Sequence, residues 1–172
     1  MMTRTSDSIL IQIRVTQVAD LAFVLQAEHD PANASFVEQW SHERHVAALS
    51  DSDFVHCIVE RRSDAQPIGH LILAGLKNPH QSLEFRRLVI TDKGHGYGRA
   101  AVRLVKQLAF EQYRVHRLWL DVRAHNRRAQ QLYQSEGFVI EGTLRECIKV
   151  ADHFESLVLM SLLCSEYSVA SG

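Results

Sequence analysis

The chain has 172 residues, 46% apolar and 23% charged, with a formal net charge of -1. That length builds one domain with a sizeable core. The near-neutral charge excludes the basic footprint of a nucleic-acid binder, and no apolar run reaches the length of a membrane span. Cys57, Cys147 and Cys164 lie far apart with no CxxC pair, which argues against a disulfide framework or a cysteine zinc site and predicts reduced, mostly buried thiols. Residues 1–8 are polar and lack the apolar core of a signal peptide, so a cytoplasmic protein is expected.

Ile9, Ile11, Ile13 and Val15 alternate with more polar neighbours and predict a first strand. Thr16 is placed to cap a helix carrying Val18, Leu21, Ala22 and Leu25, which Asp30-Pro31-Ala32-Asn33 then breaks. A second helix is predicted over 41–49 with Ser41 as its cap. Residues 54–60 and 67–76 read as strands joined by a turn at Arg62-Ser63-Asp64, and 83–91 as a further strand. Ala101, Leu104, Val105, Leu108 and Ala109 recur at helical spacing and predict a helix over 97–113. Leu118, Leu120 and Val122 mark a strand over 117–123. A short helix over 126–136 ends at Gly137. Strands over 138–140 and 154–163 follow, joined by a polar connection, and 165–172 reads as a loose tail. The order β-α-α, strands, then β-α-β-α-β-β predicts a mixed α/β single domain over 1–172, with helices on both faces of one sheet.

Three glycines, Gly94, Gly96 and Gly98, fall where the helix over 97–113 must start. A helix N-terminus exposes unpaired amides and partial positive charge. Glycines there let backbone N–H groups close on an anion such as pyrophosphate. A surface turn needing positive φ explains the same glycines, and their spacing alone leaves both readings open. The P-loop is excluded because Gly98 is followed by Arg99-Ala100, and the spacing is not GxGxxG.

Lys93-Gly94-His95-Gly96-Tyr97-Gly98 resembles the R/Q-x-x-G-x-G/A motif of the GNAT superfamily of N-acetyltransferases, with Lys93 replacing the usual Arg or Gln. Residues 120–138, "LDVRAHNRRAQQLYQSEGF", resemble the second cofactor segment of that family. Val122, Asn126, Ala129, Leu132, Tyr133, Gly137 and Phe138 match in register. The resemblance covers about residues 53–163. Ser82-Leu83-Glu84-Phe85 is similar to the strand that precedes the loop in the spermidine and ribosomal-protein N-terminal acetyltransferase type. Residues 1–50 match much less.

The resemblance implies a GNAT-like, mostly antiparallel twisted sheet of seven strands, and acetyl-CoA as co-substrate in direct transfer to a primary amine. Its loop implies that the amides of Lys93, Gly94, His95, Gly96, Tyr97, Gly98 and Arg99 hold the pyrophosphate, and that Leu88, Val89 and Ile90 pair with the pantetheine like an added strand. Asn126 would hydrogen-bond the pantetheine, or serve as a helix cap. Tyr133 stands where the family places its general acid. A phenol near pKa 10 can protonate a leaving thiolate whose conjugate acid lies near 8.5. Glu84 is the candidate base, with water as the alternative and a solvated strand residue paired with Arg86 as the structural one. Arg103 is as well explained by a solvated helix face as by phosphate.

His42 and His45 lie three apart on a predicted helix without a third ligand at metal spacing, so they read as surface histidines and no metal is expected. Glu28, Asp30, Glu38 and Glu43 make the segment 28–45 acidic. It fits a cationic acceptor such as a polyamine, or simply an acidic helical surface. Protein or peptide N-terminal acetylation and a non-catalytic CoA-binding sensor module are the alternatives. Relatives of this type pair through sheet edges or C-terminal strands, so the resemblance also implies a homodimer or larger homo-oligomer to test.

Overall fold

The computed structural model describes residues 10–167, which form one seven-stranded sheet flanked by helices on both faces. In chain order the elements are β1 (Ile11–Val15), α1 (Leu21–His29), α2 (Pro31–Ala34), α3 (His42–Ser50), β2 (Phe54–Arg61), β3 (Pro67–Ala74), β4 (Ser82–Ile90), α4 (Tyr97–Gln107), β5 (Arg117–Arg123), α5 (Arg127–Ser135), β6 (Val139–Val150) and β7 (His153–Leu163). The strand order is β1-β2-β3-β4-β5-β7-β6, antiparallel except at β4 and β5. The one parallel pair follows from the α4 crossover between those strands.

The parallel pair is short. Only Ser82, Leu83 and Glu84 meet Arg117, Leu118 and Trp119, and β4 then parts from β5. A bulge sits on the same strand: Ile72 faces Arg87 and Leu73 faces Phe85, so Arg86 is the extra residue. The bulge inverts the alternation of β4. Leu83 and Phe85 belong to the core beneath α4, as do Leu88 and Ile90 beyond it, whereas Arg86 and Arg87 both lie over Trp40 on the opposite side. β3 and β4 also approach closely, because a Cβ at Gly69 would lie 2.1 Å from the Val89 carbonyl oxygen.

The main core joins β1 to β5 and β7 with α4, through Leu71, Leu73, Leu83, Val102, Val105, Leu118 and Met160. Smaller clusters pack α1 on Ile58, and Trp40 with α3 on Ile72. On that second face lies a buried polar hub. Glu28, wholly buried, accepts from Arg87 Nη1 at 2.7 Å, His70 Nε2 at 3.1 Å, His45 Nε2 at 3.3 Å and Trp40 N at 3.2 Å. His45 Nδ1 meets His56 Nε2 at 3.0 Å, and His56 Nδ1 meets Thr16 Oγ1 at 2.9 Å. One consistent proton assignment runs from the Thr16 hydroxyl through His56 and His45, both neutral, to the carboxylate.

Several expectations are corrected. His45 is buried because Glu28 and His56 engage both its ring nitrogens, while His42 is exposed. Glu28 is likewise a core residue, not part of an acidic surface. Thr16 does not cap the first helix, its hydroxyl being taken by His56. A 3-10 turn over Val18–Asp20 precedes α1 instead. The helix predicted over 97–113 changes to a π turn over Leu108–Gln112. The strand predicted over 138–140 runs on to Val150, absorbing the supposed polar connection into a long hairpin. Only Cys57 is buried; Cys147 and Cys164 are exposed. Arg103 does not lie on a free solvated face, since it pairs with Glu136 at 3.1 Å. Residues 1–9, with the Ile9 of the predicted first strand, and 168–172 of the tail lie outside the described residues. Tyr167 is held by stacking on Phe110 and by a hydrogen bond to Glu111.

The hub makes stability fall with acidification. Burial chiefly pushes His56 down to about 3 from an ordinary value near 6.5. Between those values the unfolded chain takes up a proton that the folded chain refuses, so stability declines as pH drops below about 6.5. Glu28 is held below the usual carboxylate range by His45, His70 and Arg87 against the opposing effect of burial. Its contribution is present above the unfolded carboxylate value and is lost as pH falls below it. Thermal melts from pH 7 to pH 4 are expected to show a progressive fall in Tm, with the fall between pH 6.5 and 5 reduced in His56→Gln relative to its own pH 7 value. A flat wild-type profile down to pH 5 would contradict this.

Candidate active site

Where β4 and β5 part, a cleft of about 1250 Å3 opens. It is large enough for an extended nucleotide cofactor and a second small substrate. One end is the glycine turn and the start of α4. The middle is β4 from Glu84 to Ile90, with Asp121–Arg123 across from it. The other end is walled by Asn33, Phe36, Val37 and Glu38 on one side, and by Ile148, Lys149 and Leu157 of the hairpin on the other.

At the glycine turn, Gly94 and Gly96 take φ of +86° and +80°. These left-handed conformations disfavour any residue with a Cβ. A Cβ at Gly94 would meet nothing within 4 Å, and one at Gly96 only Leu10 at 4.0 Å. Their surroundings are open, and the backbone geometry is what requires glycine. Gly96 is the N-cap of α4 and Ala100 N makes the first helical bond to its carbonyl at 3.0 Å. The amides ahead of Ala100 therefore stand at the positive end of the helix, suited to an anion. Lys93, Gly94, Gly96, Tyr97, Gly98 and Arg99 all line the cleft. His95 does not; it is exposed and lies 3.1 Å from Asp92.

Two cationic side chains here are engaged elsewhere. Lys93 Nζ donates to the Ala32 carbonyl at 2.8 Å, linking the glycine turn to α2 across the cleft. Arg99 bonds Glu136 and the Ser135 hydroxyl. Glu136 also takes Lys106 at 3.0 Å, so this buried carboxylate joins α4 to the end of α5. Arg128, in the first turn of α5, lines the phosphate end. Burial chiefly, and Arg128 next, lower the Lys93 pKa.

Leu88 and Ile90 are half-buried and Val89 is buried on β4, which pairs here with β3 but no longer with β5. The backbone groups of β4 that face the opening therefore have no strand partner there. Asn126 caps α5, its Oδ1 accepting from Ala129 N at 3.2 Å, and it lines the cleft. Capping uses Oδ1 and leaves the amide N–H donors for a ligand.

Tyr133 is half-buried between Phe85 and Phe138, with ring centroids at 6.2 and 5.7 Å. Its hydroxyl has no hydrogen bond among the described residues, and burial, followed by the charge of Asp121, raises its pKa. The phenol thus stays protonated at neutral pH. Glu84 lines the same part of the cleft, and Arg86 Nη1 holds both its oxygens at 2.9 and 3.2 Å. Burial raises the Glu84 pKa and Arg86 opposes the rise.

Asp121 is a residue the sequence reading missed. It faces the cleft from β5, exposed to it and without a hydrogen bond among the described residues; desolvation by the cleft walls raises its pKa despite Arg86 and Arg123. Alternation with buried Leu120 and Val122 put it on the polar face of the strand, but nothing local said that face was a cleft. The Glu84–Arg86 pair was foreseen, and the segment 28–45 was read as acidic, but the apolar wall of Phe36 and Val37 was not seen.

A family model described as "Acetyltransferase (GNAT) domain" matches residues 9–139. The chain belongs to the GNAT family of acetyltransferases. It is 26% identical over 167 residues to spermidine N(1)-acetyltransferase of Vibrio cholerae, covering 91% of this chain and 95% of that one. It is 31% identical over 129 residues to an uncharacterized N-acetyltransferase of Mycobacterium bovis, covering 74% and 79%. A chimeric form of the Vibrio cholerae spermidine enzyme superposes with a TM-score of 0.81 at 25% identity, over 91% of this chain and 96% of that one. The Vibrio cholerae enzyme in complex with CoA and spermine shares the fold, with a TM-score of 0.81 at 23% identity over 91% and 97%. Membership makes this chain an acetyl-CoA-dependent N-acetyltransferase, and the amide-lined turn and open β4 edge fit that co-substrate. Among the described residues no helix is long and apolar enough to cross a membrane.

Gly96→Ala should separate the cradle from the fold. Placing a Cβ at φ +80° costs about 1–2 kcal/mol, a fall of roughly 2–8 °C in Tm for a chain of this size. With the amide geometry disturbed, the KM for acetyl-CoA is expected to rise about tenfold or more. An unchanged acetyl-CoA KM in the folded variant would remove this turn from cofactor binding.

Proposed function

We propose that the acetyl acceptor is a primary amine on a polyamine or another cationic small molecule, acetylated within a ternary complex in the cytoplasm. The observation that carries the reading is a single cleft with an amide-lined end suited to phosphate and, farther along β4, a half-buried phenol beside two carboxylates of raised pKa. The amides of the glycine turn would hold the pyrophosphate, with Arg128 nearby. The free edge of β4 at Leu88, Val89 and Ile90 would pair with the pantetheine, and Asn126 would donate to it. That arrangement brings the thioester toward Tyr133.

Asp121 is the better candidate than Glu84 for taking the amine proton, directly or through water. Its carboxylate takes no hydrogen bond among the described residues, whereas Arg86 occupies both oxygens of Glu84. Glu84 and Arg86 then shape the acceptor end. The acceptor ammonium first gives one proton to the carboxylate; the neutral nitrogen then attacks the thioester carbon and loses its second proton to solvent. The C–S bond breaks, and the departing thiolate takes the Tyr133 hydroxyl proton, which solvent replaces. Arginines pair with Glu38 and Glu84, which leaves Asp121 as the carboxylate that favours a cationic acceptor, in keeping with the spermidine enzyme to which the chain is similar.

A second reading, a peptide α-amine, is favoured by the apolar wall of Phe36, Val37, Ile148 and Leu157, together with Arg86, features a polyamine does not need. Thiol release from acetyl-CoA across polyamines, aminoglycosides, amino acids and peptides decides between them. Polyamines are expected to give the highest kcat/KM. Preference for peptides would replace the first reading, and CoA binding with no amine acetylated would leave a sensor module.

Tyr133→Phe is expected to lower kcat by about 10²–10³-fold while the acetyl-CoA KM stays within about threefold. Asp121→Asn should lower kcat/KM by about 10²-fold and remove the acid limb of its pH profile, with Glu84→Gln the milder change. That limb should lie above the ordinary aspartate range, because only the deprotonated carboxylate accepts a proton and desolvation by the cleft walls raises its pKa. The reverse ranking of the two variants would assign the base to Glu84.

A further inference from the structure

The acceptor end of the cleft is built largely from an excursion of the chain. It leaves α1 at His29 and returns at Trp40; Ala32 meets Lys93 of the glycine turn, and Phe36, Val37 and Glu38 carry the wall on to the acceptor end. The base of this excursion closes on the last turn of α1. Glu28 Oε2 accepts from Trp40 N at 3.2 Å, and the Ala27 carbonyl accepts from Asn33 Nδ2 at 3.0 Å.

The other oxygen of the same carboxylate reaches the sheet. Glu28 Oε1 accepts from His70 on β3 at 3.1 Å and from Arg87 on β4 at 2.7 Å. Arg87 adjoins the bulged Arg86, which holds Glu84. Trp40 is fixed a second time, with the guanidinium carbons of Arg44, Arg87 and Arg86 at 4.1, 4.6 and 5.5 Å from its ring centroid. One buried carboxylate therefore sets how far the acceptor wall stands from the strand that carries Glu84.

We propose that Glu28 is a positioning residue for acceptor recognition: by gathering Trp40, His45, His70 and Arg87 on one carboxylate, it fixes the wall 31–40 against β4 without touching substrate. This rests on the reading of that wall as the amine side. A buried ion pair is a poor source of net stability, because desolvation offsets much of its attraction, and its best-attested use is to specify an arrangement. The hub is charge-matched as it stands, with Glu28 against Arg87 and hydrogen bonds satisfying the carboxylate on both oxygens.

Two variants test it. Glu28→Asp keeps the countercharge of Arg87 and shortens the reach by one methylene. The double variant E28Q/R87Q removes both charges and so leaves no buried ion unpaired. In both, the KM for the best amine is expected to rise about tenfold or more, well beyond any rise in the Kd for CoA by calorimetry, which the Lys93–Ala32 bond couples more weakly to the same segment, while kcat at saturating amine stays within a few fold. Hydrogen exchange should quicken in residues 31–40, beyond any general change. Wild-type amine KM in the folded variants, or unchanged exchange in 31–40, would overturn the proposal. If the wild type binds CoA but acetylates no amine tested, the acceptor reading fails, and exchange in 31–40 still decides whether Glu28 positions this wall.

Discussion

The structure depends on a divergence. β4 and β5 pair in parallel over three residues and then part. Beyond Glu84, the β4 edge has lost its neighbour. Backbone amides and carbonyls left unpaired inside a protein are costly, so such an edge lasts only if water or a ligand completes it. Helix α4 leaves β4 through the glycine turn and returns as β5, which places the positive end of that helix at the mouth of the same gap. Phosphate site, strand-like edge and reacting groups thus follow from one topological event.

The two faces of the sheet divide the work. Beneath α4 the core is almost wholly apolar, and its rigidity fixes Tyr133 between Phe85 and Phe138. On the other face the packing is partly ionic, through Glu28 and Arg87. The bulge at Arg86 joins the faces, since one extra residue puts two successive arginines over Trp40 while the residues on either side stay in the main core. Glu84, paired with Arg86, and Asp121, without a hydrogen bond among the described residues, are two carboxylates on neighbouring strands with different chemistry set by one guanidinium.

Sequence revealed most where periodicity was enforced by burial. The alternation of β1 and β5 and the apolar stripe of α4 are direct consequences of a one-sided core, and the glycine turn showed as a local backbone requirement. β6 was legible only at its start. It is the sheet edge, exposed along nearly its whole length, and bulges at 140–142 and 144–148 break the alternation that would have marked it. The hub was illegible for a different reason. Glu28, His45 and His70 each look like solvent residues, and their burial is mutual, supplied by partners 11 to 59 positions away in sequence. Asp121 was hidden likewise, because whether a polar strand face meets water or a cleft depends on the course of the next strand.

A crystal structure with CoA tests the central claim most directly. The account predicts the pyrophosphate on the amides between Lys93 and Arg99, the pantetheine paired with the β4 backbone beyond Glu84, and the sulfur within hydrogen-bonding distance of the Tyr133 hydroxyl. CoA bound outside the gap between β4 and β5, or with its sulfur remote from Tyr133, would contradict it.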